Sequence, residues 1–362
     1  RAVSLCCLNQ HACGYFKSRI RGIELLHPGD YDFGLMRAAT PTPRLRQTLR
    51  EPIDLTFYGV NLYLAAVSLA VTVWGAAPAA RHLPAAAGLM AACALPWLLS
   101  VAEDAVRSRA GRRGVAGRVL RFLRMFYVHA FYGPWFAQVI LVSQSISGGA
   151  SLDALVARVE AAVFGGQPAL AFSAALSHLT GVNELMFFGY FSYYLIITAG
   201  FWVLFLRGRE EQARRGVFLA TTAFALLYVW YTFVPVQGPK YFFETLRTSW
   251  YGEFEGLVFV PLMRTIFDHM NLAGAALPSS HVAIGLIAVV LIRRELPGLF
   301  RLYLALFVLL CLSTVYIYAH YAVDAIAGIA VAPVLLAAVR PLYGRARAVM
   351  ERGTYENGGA ST

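Results

Sequence analysis

Long apolar runs separated by short polar segments dominate the chain from about residue 57 onward. A helix needs about 17–25 predominantly apolar residues to cross a bilayer, and eight runs approach that length. They lie at 57–76, 86–102, 122–143, 185–206, 217–234, 281–294, 301–318 and 320–339. The second and sixth runs are the shortest. The pattern therefore predicts an all-α integral membrane protein with about eight spans.

Polar segments at both ends frame this apolar region and suggest four parts. Residues 1–56 are polar and basic, and we expect a poorly ordered tail. Residues 57–119 hold the first two spans and a basic loop, and residues 120–340 hold the other six spans. Residues 341–362 form a second tail.

The composition supports a lipid environment. Hydrophobic residues make up 58% of the 362 residues and charged residues only 14%, whereas soluble domains carry about 25% charged residues. This excess of apolar side chains is too large for one buried core. The five cysteines are not spaced as metal ligands or as a disulfide framework, so no metal site is expected from them.

The net charge is +11, and the basic residues behind it are concentrated in alternate connections between the predicted spans. Of the 31 Lys and Arg residues, 26 lie in the two tails and in alternate connections between spans. The positive-inside rule then places both termini in the cytoplasm, and each arginine cluster is interpreted as a solvated anchor at the lipid headgroups. Because the charge follows topology, nucleic acid is excluded as a partner.

Two long connections lie on the opposite, extracytoplasmic side. The first, 144–184, carries an apolar helix face with polar residues off that face, which predicts a helix lying in the membrane interface. The face comprises Leu152, Leu155, Val156, Val159 and Val163, and the residues off it are Asp153, Arg158 and Glu160. The second connection, 235–279, is aromatic and contains Lys240, Arg247 and Arg264. Basic residues on this side are exceptional under the charge rule and indicate a bound anion.

A small-residue turn, Pro278-Ser279-Ser280-His281, opens the sixth span. The sixth and seventh spans form a hairpin that returns His320 to the same membrane face as His281. Asp324 follows His320 by four residues, so we expect both to project from one helix face. A carboxylate within an apolar run is costly and marks a functional site.

Splitting a phosphoester requires a nucleophile, a proton donor for the leaving group and positive charge around the phosphoryl oxygens. His320 can serve as the nucleophile if Asp324 holds its other ring nitrogen, and His281 can donate the proton. Ser279 and Ser280, with the backbone N–H groups of the helix start, form an anion site that needs no metal. Lys240 and Arg247 supply the charge clamp.

These motifs resemble the type 2 phosphatidic acid phosphatase superfamily. Its pattern is Lys-x6-Arg-Pro, Pro-Ser-Gly-His and Ser-Arg-x5-His-x3-Asp, matched here by Lys240-x6-Arg247, by Pro278 to His281, and by Ser313-Thr314-x5-His320-x3-Asp324. The resemblance covers roughly residues 120–340. It implies a six-helix catalytic core, here preceded by two extra helices, and a metal-independent phosphatase or phosphotransferase without a cofactor.

Three positions depart from that pattern: Thr248 replaces Pro, Ser280 replaces Gly and Thr314 replaces the phosphate-binding Arg. Loss of that Arg is typical of the inositol phosphorylceramide synthase-like branch, which the chain also resembles in Gly238-Pro239-Lys240-Tyr241 and in the turn 164–168. This second resemblance implies head-group phosphotransfer. It adds Tyr241, Tyr194 and Glu184 as candidate acceptor or pocket residues, and Arg264 is the candidate that would compensate for the missing Arg.

The leading hypothesis is a multi-pass enzyme of the plasma (inner) membrane with its site on the extracytoplasmic face. It cleaves a phosphorylated lipid through a phosphohistidine, which water or an alcohol resolves, and its partners are membrane lipids. One alternative is a lipid or solute transporter that uses the His/Asp cluster as a relay, although no internal repeat supports it. Another is a non-catalytic scaffold. His129 and His178 are interpreted as structural.

Overall fold

A computed structural model describes residues 50–76, 78–110, 114–249, 252–269 and 272–358, without the side chains of 109–110, 247–249 and 351–358. Of the tail expected at 1–56, residues 1–49 lie outside the described residues, and the part from Pro52 onward already belongs to the first helix. Within the described ranges all regular structure is helical, which confirms the predicted all-α class.

Fifteen α-helices and one 3₁₀ turn, Tyr127–Phe131, make up the described part of the chain. The α-helices, in chain order, are α1 Pro52–Val73, α2 Ala79–Ala92, α3 Leu95–Ala110, α4 Val115–Phe126, α5 Tyr132–Ile146, α6 Asp153–Phe164, α7 Pro168–Leu176, α8 Thr180–Leu206, α9 Glu210–Phe233, α10 Pro239–Phe242, α11 Glu244–Ser249, α12 Phe259–His269, α13 Ser280–Ile292, α14 Pro297–Tyr316 and α15 Ala322–Gly358. The last helix continues beyond residue 341, where the second tail was expected to start.

Seven helical segments in the described ranges are long and apolar enough to cross a membrane. They correspond to seven of the eight predicted spans. The predicted span 281–294 is a shorter helix, α13, of 13 residues. Its apolar run stops at Ile292 because Arg293 and Arg294 follow. An eighth crossing is instead possible for α6 and α7, which together are apolar and long enough but bend by 71° at their junction.

The five helices α8, α9, α13, α14 and α15 enclose the main core. α8 packs along α14, and α13 packs against α15, α14 and α8. Glycines permit the closest approaches: a Cβ at Gly189 of α8 would lie 2.2 Å from the hydroxyl oxygen of Ser313 on α14. Burial of Phe201, Leu227 and Ile287 at this junction removes apolar side chains from the surface and stabilises the bundle.

The additional N-terminal helices are fixed to this bundle by buried polar contacts. On α1, Asn61 accepts a hydrogen bond from the Trp135 indole at 3.0 Å, and Ser68 accepts one from the Gln138 amide at 2.6 Å. Because buried polar groups cost free energy unless they are paired, these contacts set the position of α1 against α5.

Arg124 corrects the view of the arginine clusters as solvated anchors. Its side chain is buried between α1 and α4, where both terminal nitrogens donate to the Asp54 carboxylate and Nε donates to Ser100 at 3.1 Å. The Tyr127 hydroxyl donates to the same carboxylate at 2.9 Å. Arg124, which the charge pattern of the sequence places among the headgroup anchors, therefore forms a buried ion pair that connects α4 to α1.

The helix predicted in the interface is present as α6, but its orientation differs in part. Leu155 and Val159 are exposed, as expected for a face that meets lipid, whereas Val156 is buried. The carboxylates of Asp153 and Glu160 are also fully buried and point towards the bundle. They turn inward because they accept hydrogen bonds from backbone N–H groups of other segments. Asp153 pairs with residues 237 and 238, and Glu160 pairs with residue 322.

Candidate active site

The structure brings His281 and His320 into direct contact. His281 is the second residue of α13, and His320 lies in the short connection between α14 and α15. Nε2 of His320 and Nδ1 of His281 are 3.3 Å apart. The local hairpin of α13 and α14 accounts for this meeting, since two antiparallel helices return the chain to the level at which it started.

The second nitrogen of His320 faces a backbone carbonyl. Nδ1 lies 3.0 Å from the Ala276 carbonyl oxygen and 3.6 Å from Oδ2 of Asp324. A carbonyl oxygen can only accept, so Nδ1 carries the hydrogen and the Nε2 lone pair faces His281. Nδ1 of His281 is then the donor in the contact between the two rings.

His320 and Asp324 meet in a way that differs from the predicted shared helix face. His320 precedes α15 by two residues, and Asp324 is the third residue of that helix. Oδ2 of Asp324 accepts from the Tyr321 backbone N–H at 3.0 Å, which caps the helix start. The carboxylate is fully buried, and within the described part of the chain Oδ1 has no hydrogen-bond partner.

Gly328 explains how α15 approaches the turn before α13 so closely. A Cβ at this position would lie 2.7 Å from the Ser279 carbonyl oxygen, closer than real Cβ contacts come. The approach lets the Ser279 backbone N–H donate to the Asp324 carbonyl at 2.9 Å. The motif Asp-x3-Gly therefore has a packing reason, because it holds the two histidine-bearing segments together.

The two serines have different environments. The Ser279 hydroxyl accepts from the Val282 backbone N–H at 3.4 Å as the N-cap of α13, and the residue is fully buried outside the cavity. Phosphate binding was predicted for Ser279. Its position indicates helix capping instead, because the hydroxyl is engaged at the helix start. Ser280 does line the cavity described next.

A cavity of about 340 Å³ opens beside the histidines, within the usual size range of small-molecule sites of roughly 300–1,000 Å³. His281 forms part of its wall between two tyrosine rings, with centroid distances of 4.7 Å to Tyr190 and 4.4 Å to Tyr193. The predicted pocket residues Tyr194 and Tyr241 also line it. The walls are mainly aromatic, so the cavity suits a ligand with a large apolar part.

Lys240 brings positive charge to this cavity. Its backbone N–H donates to the Tyr318 carbonyl at 3.0 Å, and Nζ lies 4.8 Å from the Phe267 ring centroid. Burial lowers the pKa of Lys240 to about 8, while the nearby Asp268 carboxylate opposes this shift. Among the described residues that line the cavity, Lys240 is the one Lys or Arg.

Thr314 occupies the position where the superfamily pattern has Arg. It is fully buried, its hydroxyl donates to the Cys311 carbonyl at 2.8 Å, and it does not line the cavity. Its own carbonyl accepts from the His320 backbone N–H at 2.9 Å. The backbone at this position therefore still holds His320, although the side chain brings no charge.

The remaining predicted residues are placed away from the cavity or lie outside the description. Arg247 belongs to α11, and its side chain lies outside the described residues. Nη2 of Arg264 donates to the Phe254 carbonyl at 2.5 Å, and Arg264 does not line the cavity. Glu184 caps α12 by accepting from the backbone N–H groups of residues 257–260, so its place is explained by that helix start rather than by a pocket.

Asp153 supports the segments that form the site, and the sequence alone gave it no such role. Its carboxylate accepts from the backbone N–H groups of Gln237 at 2.7 Å and Gly238 at 2.8 Å, and from the Tyr321 hydroxyl at 3.1 Å. It thereby ties the segment that presents Lys240 to the residue after His320. The one signal in the sequence is a carboxylate that opens an amphipathic helix.

His129, interpreted as structural from the sequence, lines the cavity as well. Its ring packs against Phe126 and Tyr132, with centroid distances of 5.6 Å and 5.3 Å. No motif marks this histidine, and its nearness to the cavity depends on how α4, α5 and α8 pack. In the ranges that the structure describes, no group of three or more His, Cys, Asp or Glu side chains is arranged to hold a metal ion.

Comparison with known proteins now identifies the class. A family model described as the PAP2 superfamily matches residues 154–338, which is half of the chain. The chain therefore belongs to the PAP2 superfamily of phosphatases and phosphotransferases. The match starts in α6 and ends in α15, so it contains both contacting histidines, whereas α1 to α5 and His129 precede it. Searches of curated proteins and of solved structures returned no match.

Proposed function

We propose that this protein is a membrane-bound lipid-phosphate phosphatase or head-group phosphotransferase that works through a phosphohistidine at His320. The observation that carries the proposal is the contact of 3.3 Å between His320 Nε2 and His281 Nδ1 at the wall of an aromatic cavity. One ring there presents a lone pair and the other a hydrogen, which is the pairing that nucleophilic attack with protonation of a leaving group requires.

In the first step the Nε2 lone pair of His320 forms a bond to phosphorus, and the bond from phosphorus to the leaving oxygen breaks. His281, acting as the imidazolium, transfers its Nδ1 hydrogen to that oxygen and is left as a neutral ring. A phosphoryl group cannot occupy the space between two nitrogens in contact, so substrate binding replaces the contact between the rings. In the second step an acceptor hydroxyl attacks the same phosphorus, returns a proton to His281 and releases His320.

Asp324 and the Ala276 carbonyl support the nucleophile. The carbonyl fixes the ring through Nδ1, and the carboxylate at 3.6 Å stabilises the positive charge that develops on the imidazole when Nε2 is phosphorylated. Lys240 lies on the same cavity and supplies charge for the phosphoryl oxygens.

The replacement of the superfamily's phosphate-binding Arg by Thr314 favours a phosphodiester over a phosphomonoester as substrate. A monoester carries about −1.5 to −2 charges near neutral pH, and a diester carries one. With Thr314 in place of Arg, Lys240 is the single Lys or Arg among the described lining residues. This balance supports transfer of a lipid head group, in line with the resemblance to the inositol phosphorylceramide synthase-like branch.

The site is proposed to face the extracytoplasmic side of the plasma (inner) membrane. Support comes from the sequence pattern, in which 26 of 31 basic residues fall in the tails and alternate connections, and of these the structure pairs Arg124 internally with Asp54. A cysteine replacing the exposed Leu257 should react with an impermeant maleimide in intact cells, and one replacing Arg207 should not. The opposite labelling would place the site in the cytoplasm.

The function is tested with purified protein in detergent that contains EDTA. Release of phosphate from phosphatidic acid, and transfer of a head group from a phosphodiester lipid to a lipid alcohol, are measured in parallel. His320→Ala should abolish both reactions, and His178→Ala, a change at an exposed histidine outside the cavity, should leave them unchanged. Unaltered turnover in His320→Ala would refute the mechanism, and lipid movement across vesicles without phosphoryl chemistry would favour a transporter.

A further inference from the structure

Three carboxylates come together where α15 begins, and two of them belong to α6. Asp153 opens α6, Glu160 lies about two turns further along it, and Asp324 is the third residue of α15. All three are fully buried. The mechanism above uses only Asp324, so the burial of the other two carboxylates beside it calls for a separate explanation.

Asp153 is paired as an anion. One of its oxygens accepts from the Gly238 backbone N–H at 2.8 Å and from the Tyr321 hydroxyl at 3.1 Å. The other accepts from the Gln237 backbone N–H at 2.7 Å and from the Ser151 hydroxyl at 2.5 Å. These four donors satisfy both oxygens and offset the cost of burying a charged carboxylate.

Glu160 and Asp324 each have one oxygen that accepts a backbone hydrogen bond and one that does not. Oε1 of Glu160 accepts from the Ala322 N–H at 3.1 Å, and Oδ2 of Asp324 accepts from the preceding N–H, that of Tyr321, at 3.0 Å. Consecutive N–H groups at a helix start point the same way, so the two carboxylates are neighbours. Oε2 of Glu160 and Oδ1 of Asp324 are buried without a hydrogen-bond partner in the described part of the chain.

Among the described residues no cation is placed to balance two anions at this point. Asp324 is the one described charged group that acts electrostatically on Glu160. Both α10 and α15 pack against α6. Arg158 of α6 is exposed, and Nζ of Lys240 on α10 lies 4.8 Å from the Phe267 ring centroid. The other titratable groups on α6, on α10 and at the start of α15 are Asp153, Tyr241, His320 and Tyr321.

We propose that Glu160 is a positioning residue that stays protonated at neutral pH and shares its proton with Asp324. A carboxylic acid has one O–H donor, so the hydrogen on Oε2 of Glu160 pairs with Oδ1 of Asp324 and satisfies both buried oxygens at once. Two neighbouring buried carboxylates do not both ionise without a counter-charge. The shared proton leaves one negative charge beside His320 and orients Oδ2 of Asp324 towards that ring.

The effect on the rate rests on the proposed function, whereas the shared proton itself does not. Glu160 does not line the cavity. It therefore acts on the reaction through Asp324 and makes no contact with the substrate. A change at Glu160 should accordingly alter kcat and leave KM as it is.

Infrared spectroscopy of the purified protein in detergent tests the proton without any turnover. At neutral pH the wild-type spectrum should contain the C=O stretch of a buried, protonated carboxylic acid, which Glu160→Gln should lack. Glu255→Gln, a change at an exposed glutamate outside the cavity, should retain it. In Asp324→Asn the band should disappear about one pH unit lower, because the negative charge that opposes ionisation of Glu160 is gone.

Turnover at neutral pH provides the second test. Glu160→Gln keeps an acceptor for the Ala322 N–H and a donor for Asp324, so kcat should stay within about 2-fold of the wild type. Glu160→Leu has neither group, and its kcat should fall about 10-fold with unchanged KM. The infrared comparison does not depend on whether Glu160→Leu folds.

A wild-type spectrum without this band, or a band that Glu160→Gln leaves unchanged, would overturn the inference. So would a Glu160→Gln variant as slow as Glu160→Leu, since that result means that the charged form of Glu160 is required. A wild-type kcat in Glu160→Leu would remove its role in positioning Asp324. A protein that shows the band as expected but no phosphoryl transfer would refute the proposed function and leave the shared proton standing.

Discussion

Two carboxylates are fully buried in this bundle, one at a contact between two helices and the other beside the candidate active site. Asp54 joins α1 to α4, where it accepts from the Arg124 guanidinium, from the Tyr127 hydroxyl and from the backbone N–H groups of residues 50 and 51. Asp324 lies beside His320, where Oδ2 accepts one backbone N–H and Oδ1 has no partner among the described residues. Both are 0% exposed.

The difference lies in how completely each charge is paired. A buried carboxylate with a bidentate arginine and further donors is a fixed part of the frame, and it has no capacity left for a ligand. A buried carboxylate that is only partly satisfied, next to an imidazole, is kept at a cost to stability. Such a cost is typical of functional sites, because the free lone pairs are used when charge develops during the reaction.

The largest effect is expected at the partly paired carboxylate. Asp324→Asn should lower kcat by about 10³-fold, since a neutral amide no longer stabilises a charged, phosphorylated His320. The free energy of unfolding should change little, because the Asn side-chain oxygen can still accept from the Tyr321 N–H. Enzyme kinetics and chemical unfolding of the same preparation check both statements. A large loss of stability with normal kcat would show that Asp324 is a structural residue rather than a catalytic one.

The completely paired carboxylate should respond in the opposite way. Asp54→Asn should cost about 3 kcal/mol of unfolding free energy, because the buried Arg124 loses its charged partner. The kcat of the protein that remains folded should be unchanged.

The double variant Asp54→Leu with Arg124→Met provides the control for that prediction. It removes both charges at once and should recover most of the lost stability, because apolar side chains can replace a buried ion pair. A double variant as unstable as Asp54→Asn would show that the pair itself does not account for the cost.

A smaller effect is expected from Lys240. Its pKa is lowered by burial to about 8, and the side chain is charged below that value. KM for a phosphodiester lipid should therefore rise as the pH increases through about 8, by about tenfold one to two units higher, as the cation is lost. Lys240→Arg should remove this alkaline rise, because Arg stays protonated. A rise that persists in Lys240→Arg would assign it to another group.

The smallest effect is expected at the helix start. Ser279→Ala removes the N-cap of α13 and should cost about 1 kcal/mol of unfolding free energy with little change in KM. Ser280→Ala is the matched change at the neighbouring residue that lines the cavity, and it should raise KM instead. Equal effects of both changes on KM would contradict the assignment of helix capping to Ser279 and of ligand binding to Ser280.

Much of this fold follows from hydrophobic pattern. Seven predicted spans coincide with helices that are long and apolar enough to cross a membrane, because the apolar run itself determines the length of such a helix. The meeting of His281 and His320 could also be predicted, since a short hairpin fixes it locally. The sixth span was overestimated because Arg293 and Arg294 were included in it.

Partners that come from distant segments could not be predicted. Arg124 looked like a headgroup anchor, because nothing in its own sequence neighbourhood reveals Asp54 seventy residues earlier. Asp153 and Glu160 were placed correctly on a helix, but that they point inward depends on the N–H groups of residues 237, 238 and 322. His129 carries no motif at all, and packing alone places it at the cavity.

The most direct measurement of the central claim is capture of the covalent intermediate. Protein in detergent is mixed with a phosphodiester lipid or phosphatidic acid labelled with ³²P, quenched with alkali within milliseconds and digested. We predict label on the peptide that contains His320, stable in alkali and released by acid as a phosphohistidine is, and no label in His320→Ala. Full turnover without labelled protein, or equal labelling of His320→Ala, would contradict the account.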